Sequence, residues 1–133
     1  MDRETWLQRQ DEIKLIEAGS YTHAVTFNTN KNLTIKRTAK LFELFEKRFA
    51  KKIGDVRNLK FVGFYERKSG NAHIHSVVEF TKKQEVQFNK HAAHIWAKLM
   101  RENKATGKLW VDLYKDSVAT YITKDGAMVI TTA

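Results

Sequence analysis

Residues 59–80 read LKFVGFYERKSGNAHIHSVVEF, and this stretch decides the fold. Residues 59–66, LKFVGFYE, are rich in β-branched and aromatic side chains and predict a strand. RKSGN follows as a hairpin loop, with Gly70 and Asn71 as turn residues. HIHSVVEF then predicts the returning strand. Alternation along it sends His73 and His75 to one face and Ile74, Ser76 and Val78 to the other.

Working outward, the neighbouring segments supply the other layers. Residues 2–18 predict an amphipathic helix with Trp6, Ile13 and Ile16 near one stripe, ended by Gly19. YTHAVTFN, residues 21–28, predicts the first strand. Thr34 caps a helix to about Ile53, with Phe42, Phe45 and Phe49 facing the core and Gly54 closing it. Thr81 and Gln84 form a capping box for a second helix, on which Ala92, Ile95, Trp96 and Leu99 form a stripe ending near Gly107. LWVDLY, residues 109–114, predicts another strand. A short helix capped by Asp116 or Ser117 carries Tyr121 and stops at Gly126, and MVITT predicts a last strand. The expected fold class is α+β, a ferredoxin-like or RRM-like split βαβ. It has a central antiparallel sheet of about five strands, helices on one face, and the catalytic site or a third helix on the other. All 133 residues are expected to form one domain, with 1–19 as an extra helix.

Composition narrows the function. Lys and Arg number 24 against 15 acidic residues, a net charge of +9. Such an excess on a small domain is the electrostatic footprint of a nucleic-acid binder, through salt-sensitive phosphate contacts. The chain has no cysteine, so disulfides and thiolate metal sites are excluded. The charged N-terminus lacks an apolar signal core, and no run approaches the ~18 apolar residues of a membrane span. No membrane role is expected.

Two imidazoles at i and i+2 on a strand lie about 7 Å apart at Cα, given the ~3.3 Å rise per residue. Their rings can converge on one cation. Glu66 ends the preceding strand, and the short turn brings His73 beside it. Two histidines and a carboxylate make a mixed N/O site with open positions, suited to Mn²⁺ or Mg²⁺. The plain alternative is that the pair covers the sheet while Glu66 meets a lysine. His91 and His94 are i, i+3 neighbours on a helix and read as a solvated or packed face. His23 is expected near the open face.

YITKDG, residues 121–126, places Tyr121 and Lys124 one helical turn apart, with Asp125 next. A phenol, with its pKa of ~10, needs a nearby cation or an activated phosphorus to act as a nucleophile near neutral pH. Lys124 and a metal at His73, His75 and Glu66 would supply these as two halves of one phosphoryl-transfer site. A covalent phosphotyrosine conserves the bond energy, so a later hydroxyl can reseal the strand.

Together HIH at 73–75, YERKSGNAHIH at 65–75 and YITKDG at 121–126 resemble the HUH endonuclease superfamily. The pattern is similar to the single-tyrosine nicking domain of rolling-circle replication initiators (Rep), over about residues 21–131. AVTFNTN at 24–30 stands where that family's first strand motif falls, in degenerate form. The resemblance implies a metal-dependent, sequence-specific single-stranded DNA endonuclease and strand transferase that nicks a replication origin through a 5′-phosphotyrosine. It implies Tyr121 as nucleophile, Lys124 as its electrostatic or positioning partner, and His73, His75 and Glu66 as metal ligands. Asp125 becomes a candidate metal ligand or supporting acid. The implied partners are single-stranded DNA or an origin hairpin, and a helicase acting in trans or in a missing C-terminal domain. The implied setting is a bacterial or archaeal cytoplasm, or the host nucleus for a eukaryotic virus. Alternative readings are a small tyrosine transposase or relaxase, and a non-catalytic RRM-like module stacking bases on Phe61 and Tyr65.

Overall fold

A computed structural model describes residues 10, 11, 13, 14, 16, 17, 19–54, 56, 59–115 and 127–130. Gln10, Asp11, Ile13, Lys14, Ile16 and Glu17 are helical, a stretch labelled α1. It is followed by β1 (His23–Asn28), α2 (Ile35–Ile53), β2 (Phe61–Lys68), β3 (Asn71–Val78), α3 (Lys82–Glu102), β4 (Leu109–Leu113) and β5 (Ala127–Ile130). The class is α+β. The strands lie in the order β4-β1-β3-β2-β5, each antiparallel to its neighbours. The first four carry the core, and β5 adds four residues along the outer side of β2.

Local chemistry sets the boundaries. The Thr34 side chain accepts a hydrogen bond from the Arg37 N–H at 3.1 Å and starts α2. Gly54 ends it in the left-handed region at φ 72°, where only glycine is unstrained. Thr81 and Gln84 form the reciprocal capping box at the start of α3, with bonds of 2.9 and 3.1 Å. That helix ends at Glu102, short of Gly107. Asn103 turns its side-chain amide back onto the Leu99 carbonyl, and Lys104 takes a positive φ of 56°. Gly107 has a different task. A Cβ there would strike the Asn28 carbonyl oxygen and approach Trp96 Nε1 to 2.8 Å.

The β2–β3 hairpin is tighter than the sequence suggests. Ser69 and Gly70, both with positive φ (54° and 81°), form a two-residue turn, and Asn71 already belongs to β3. The turn fixes the register as Glu66 opposite His73 and Phe64 opposite His75. A slip of one residue would send every one of these side chains to the other face.

The face carrying Val25, Phe27, Phe61, Ile74 and Val78 meets α2 and α3. Phe42, Phe45, Phe49, Phe88 and Trp96 interlock with it in mostly edge-to-face pairs, such as Phe27–Trp96 at 5.0 Å between centroids. Gly63 lets the layers approach, because a Cβ there would lie 2.8 Å from Phe42 and Ile74 atoms. The buried Glu46 carboxylate accepts the Phe61 N–H at 3.1 Å and fastens the start of β2 to α2. On the opposite face, Ile13 and Ile16 of α1 pack on Val62, Phe64 and Val77, with Tyr21 and Tyr114 at the margin. Burial pushes the Tyr21 phenol pKa up. Among the described residues, no helix is long and apolar enough to cross a membrane.

Candidate functional site

The sheet face partly covered by α1 gathers the polar residues of interest. Cross-strand partners share a face. The register therefore aligns Asn28, His73 and Glu66 in one row, and Trp110, Thr26, His75 and Phe64 in the next. Each residue comes from a different strand within its row, so the sheet itself holds their backbones in place.

His75 Nε2 lies 3.4 Å from Glu66 Oε1, and His75 Nδ1 shares a hydrogen bond of 3.3 Å with Thr26 Oγ1. His75 is 6% exposed and Glu66 4%, whereas His73 is half-buried. A sheet histidine pair beside a turn is expected to face solvent. The structure corrects that for His75, which is buried together with Glu66.

The pair comes close to the spacing a cation needs. Adjacent donors ~2.1 Å from an octahedral ion stand about 3.0 Å apart, so the 3.4 Å between His75 Nε2 and Glu66 Oε1 would have to close by a few tenths of an ångström. Ligation through Nε2 would leave Nδ1 to donate to Thr26, the kind of supporting bond that orients a metal-bound imidazole. His73 does not complete the set as placed. Its ring centroid is 6.4 Å from that of His75, and the planes are inclined by 28°, so the rings lie alongside each other without converging. Among the described residues no group of three or more His, Asp or Glu is close enough to hold an ion. A cation here would need Glu66 and His75 to draw slightly closer and His73 to turn. Tyr121, Lys124 and Asp125 lie outside the described residues.

Several side chains take other places than the sequence suggests. His23 belongs to the helical side, where its Nε2 meets Glu85 of α3 at 2.6 Å and its ring packs on Phe80 at 5.1 Å. It shares the inward parity of Val25 and Phe27, and the pull of Glu85 across the sheet end is a long-range effect. Phe61 is fully buried under α2, and the Tyr65 hydroxyl donates to the Leu33 carbonyl at 2.6 Å, so neither offers a ring to a base. Among the described residues the exposed aromatic is Trp110, 51% exposed. Its signal was an aromatic at the outward parity of LWVDL. Trp110 borders a recess of about 400 Å³ with Asn28, Asn30, Asn71 and Lys108. Backbone N–H groups of Lys108 and Thr106 bind Oδ1 of Asn28 and Asn30 at 2.7 and 2.9 Å, which fixes both side-chain amides.

A scan of protein-family models, a search of the curated proteins and a search of the solved structures each give no match to this chain.

Proposed function

We propose that this protein is a metal-dependent single-stranded DNA nickase and strand transferase of the HUH type, which opens a replication origin to start rolling-circle copying. The observation that carries the reading is the register placing Glu66 opposite His73 with His75 two pairs further along on the same face, its Nε2 3.4 Å from the Glu66 carboxylate. The strand order around them, β4-β1-β3-β2 with α2 and α3 on one side, supports a ferredoxin-like scaffold. The net charge of +9 supports a phosphate-rich substrate.

In this reading Glu66, His73 and His75 hold Mn²⁺ or Mg²⁺, with Asp125 as a further candidate ligand or a supporting acid. A bound ion there would supply Lewis-acid polarisation of a phosphate oxygen. The Tyr121 phenol oxygen attacks the phosphorus and loses its proton. The bond from phosphorus to the 3′ oxygen breaks, and that oxygen leaves as a protonated 3′ hydroxyl. The 5′ phosphate stays esterified to Tyr121, and attack by a 3′ hydroxyl reverses the step and reseals the strand. Lys124 stabilises charge growing on the phosphate. The DNA partner is single-stranded origin or hairpin DNA, and a helicase acts in trans or from a further domain. The cellular setting is a bacterial or archaeal cytoplasm, or a host nucleus for a eukaryotic virus.

The test is incubation with fluorescent single-stranded origin candidates and Mn²⁺. An SDS-resistant adduct that maps to Tyr121 and disappears in Tyr121→Phe is expected. An adduct that persists in the Phe variant, or full cleavage in excess chelator, overturns the reading. A transposase or relaxase would share the adduct but act on hairpin transposon ends or transfer origins. The exposed Trp110 beside fixed asparagine amides favours a second reading, a non-catalytic module that stacks a base there. In that case Trp110→Ala weakens single-strand binding and no adduct forms with any sequence.

A further inference from the structure

The helical layer carries its own charged feature, on the far side of the sheet from Glu66 and His75. A groove of about 500 Å³ between α2 and α3 is lined by Arg48, Lys52, Lys90, His91, His94 and Lys98. Ile95 and Glu102 complete its wall. Glu102, its single carboxylate, is occupied: Arg48 clasps it with both terminal nitrogens, at 2.6 and 3.2 Å. Lys52, Lys90 and Lys98 have no carboxylate within ion-pair distance among the described residues. The groove therefore keeps a surplus of positive charge.

His91 stands among these cations. His91 is held below its usual pKa by desolvation first, then by Lys52, Lys90 and His94. On the outer side of α2, by contrast, Lys47 pairs with Glu43 at 2.8 Å and Lys40 stands 4.0 Å from the same carboxylate. The basic side chains of the groove are also evenly spaced. Lys90, His94 and Lys98 follow one another at i+4, so about 6 Å separates successive Cα atoms along α3. Arg48 and Lys52 repeat that step on α2. Two rows of donors flanking an open trough suit an extended polyanion better than a compact one, because each charge meets a new phosphate.

We propose that the α2–α3 groove is a nucleic-acid contact that grips a phosphodiester backbone, separate from the sheet-face site. Its contribution is affinity through phosphate contacts, which carry no sequence information. The proposal does not depend on the nickase reading.

The test compares two double variants of equal charge in the full-length chain, Lys52→Gln with Lys98→Gln and Lys40→Gln with Lys47→Gln. Binding of a fluorescent 30-nucleotide single strand and its duplex is followed by anisotropy between 50 and 300 mM salt. Two lost phosphate contacts reduce the log–log salt slope by roughly 1.4 to 1.8 and the affinity near 0.1 M salt by about tenfold or more. The groove double should show that loss and the control less than a twofold one. Imidazole NMR signals of His91 and His94 should move on addition of DNA to the unaltered protein. Equal losses in the two doubles, or imidazole signals that ignore DNA, overturn the proposal. Signals that respond to polyglutamate and not to DNA also overturn it, and would assign the groove to an acidic protein. Adduct formation at saturating DNA should survive in the groove double, which separates failure here from failure of the nickase reading.

Discussion

Replacing Ile16 with alanine should destabilise the whole domain, although Ile16 stands outside the β-α-β-β-α-β run. Its side chain is fully buried against Val62, Phe64 and Val77. The change removes three buried carbons at ~0.8 kcal/mol each, and the cavity left beneath α1 adds to that. About 3 kcal/mol is therefore expected. Unfolding entropy near 2.1 cal/mol/K per residue, over 133 residues, turns this into a fall in Tm of about 10 °C. The assay is thermal unfolding by far-UV circular dichroism, beside Val86→Ala as a control on the exposed side of α3, where valine is 60% exposed. The control should shift Tm by under 2 °C. If Ile16→Ala moved Tm no more than Val86→Ala, α1 would be a loosely laid appendage and the account of the covered face would fail.

Three further outcomes follow from particular contacts. His75→Ala should lower Tm by several degrees even without metal, because it empties a site 6% exposed, while the near-isosteric Glu66→Gln should keep the fold and weaken Mn²⁺ binding. Calorimetric titration with Mn²⁺ checks the second half, and unchanged affinity in Glu66→Gln would remove the carboxylate from the ligand set. Gly63→Ala should cost about 1–3 kcal/mol, since its methyl group would meet Phe42 and Ile74 at 2.8 Å, and urea unfolding reads it directly. The pH response of His91 has a definite sign. Its folded-state pKa is below the ordinary 6.5, so the folded chain binds fewer protons than the unfolded one. Its effect is absent well above pH 6.5, and stability declines as the pH falls through that value. His91→Gln should flatten the Tm profile between pH 7.5 and 5.5, and a steeper profile in the variant would reverse the assignment.

Much of the scaffold is written locally. Thr34, Gly54, Thr81 and Gln84 each mark a helix end by a bond within four residues, and such signals can be read without tertiary knowledge. The parity of His73, Ile74 and His75 is likewise a property of any strand. The burial of Glu66 and His75 was not legible, because strand parity fixes the face a side chain takes and not how far that face is covered. Nor was the place of His23, which is decided by Glu85, 62 positions further on. Gly107 reads as a helix stop and is instead a point of close approach, since Trp96 and Asn28 meet there only after the sheet has formed. The groove between α2 and α3 was legible only as scattered lysines. Which of them lack an acidic neighbour is settled by how the two helices align.

The aromatic packing also makes the molecule its own optical reporter. Trp96 is 1% exposed, pressed against Phe27 and Phe45, and its indole N–H donates to the Asn28 carbonyl at 2.9 Å. It should emit at short wavelength and resist acrylamide. Trp110, half in water on the opposite sheet face, should emit further to the red and be quenched by acrylamide and by a stacked base. In a Trp6→Phe background these two indoles are the only ones left. One emission spectrum then follows the core between sheet and helices and the polar face separately, in the same cuvette.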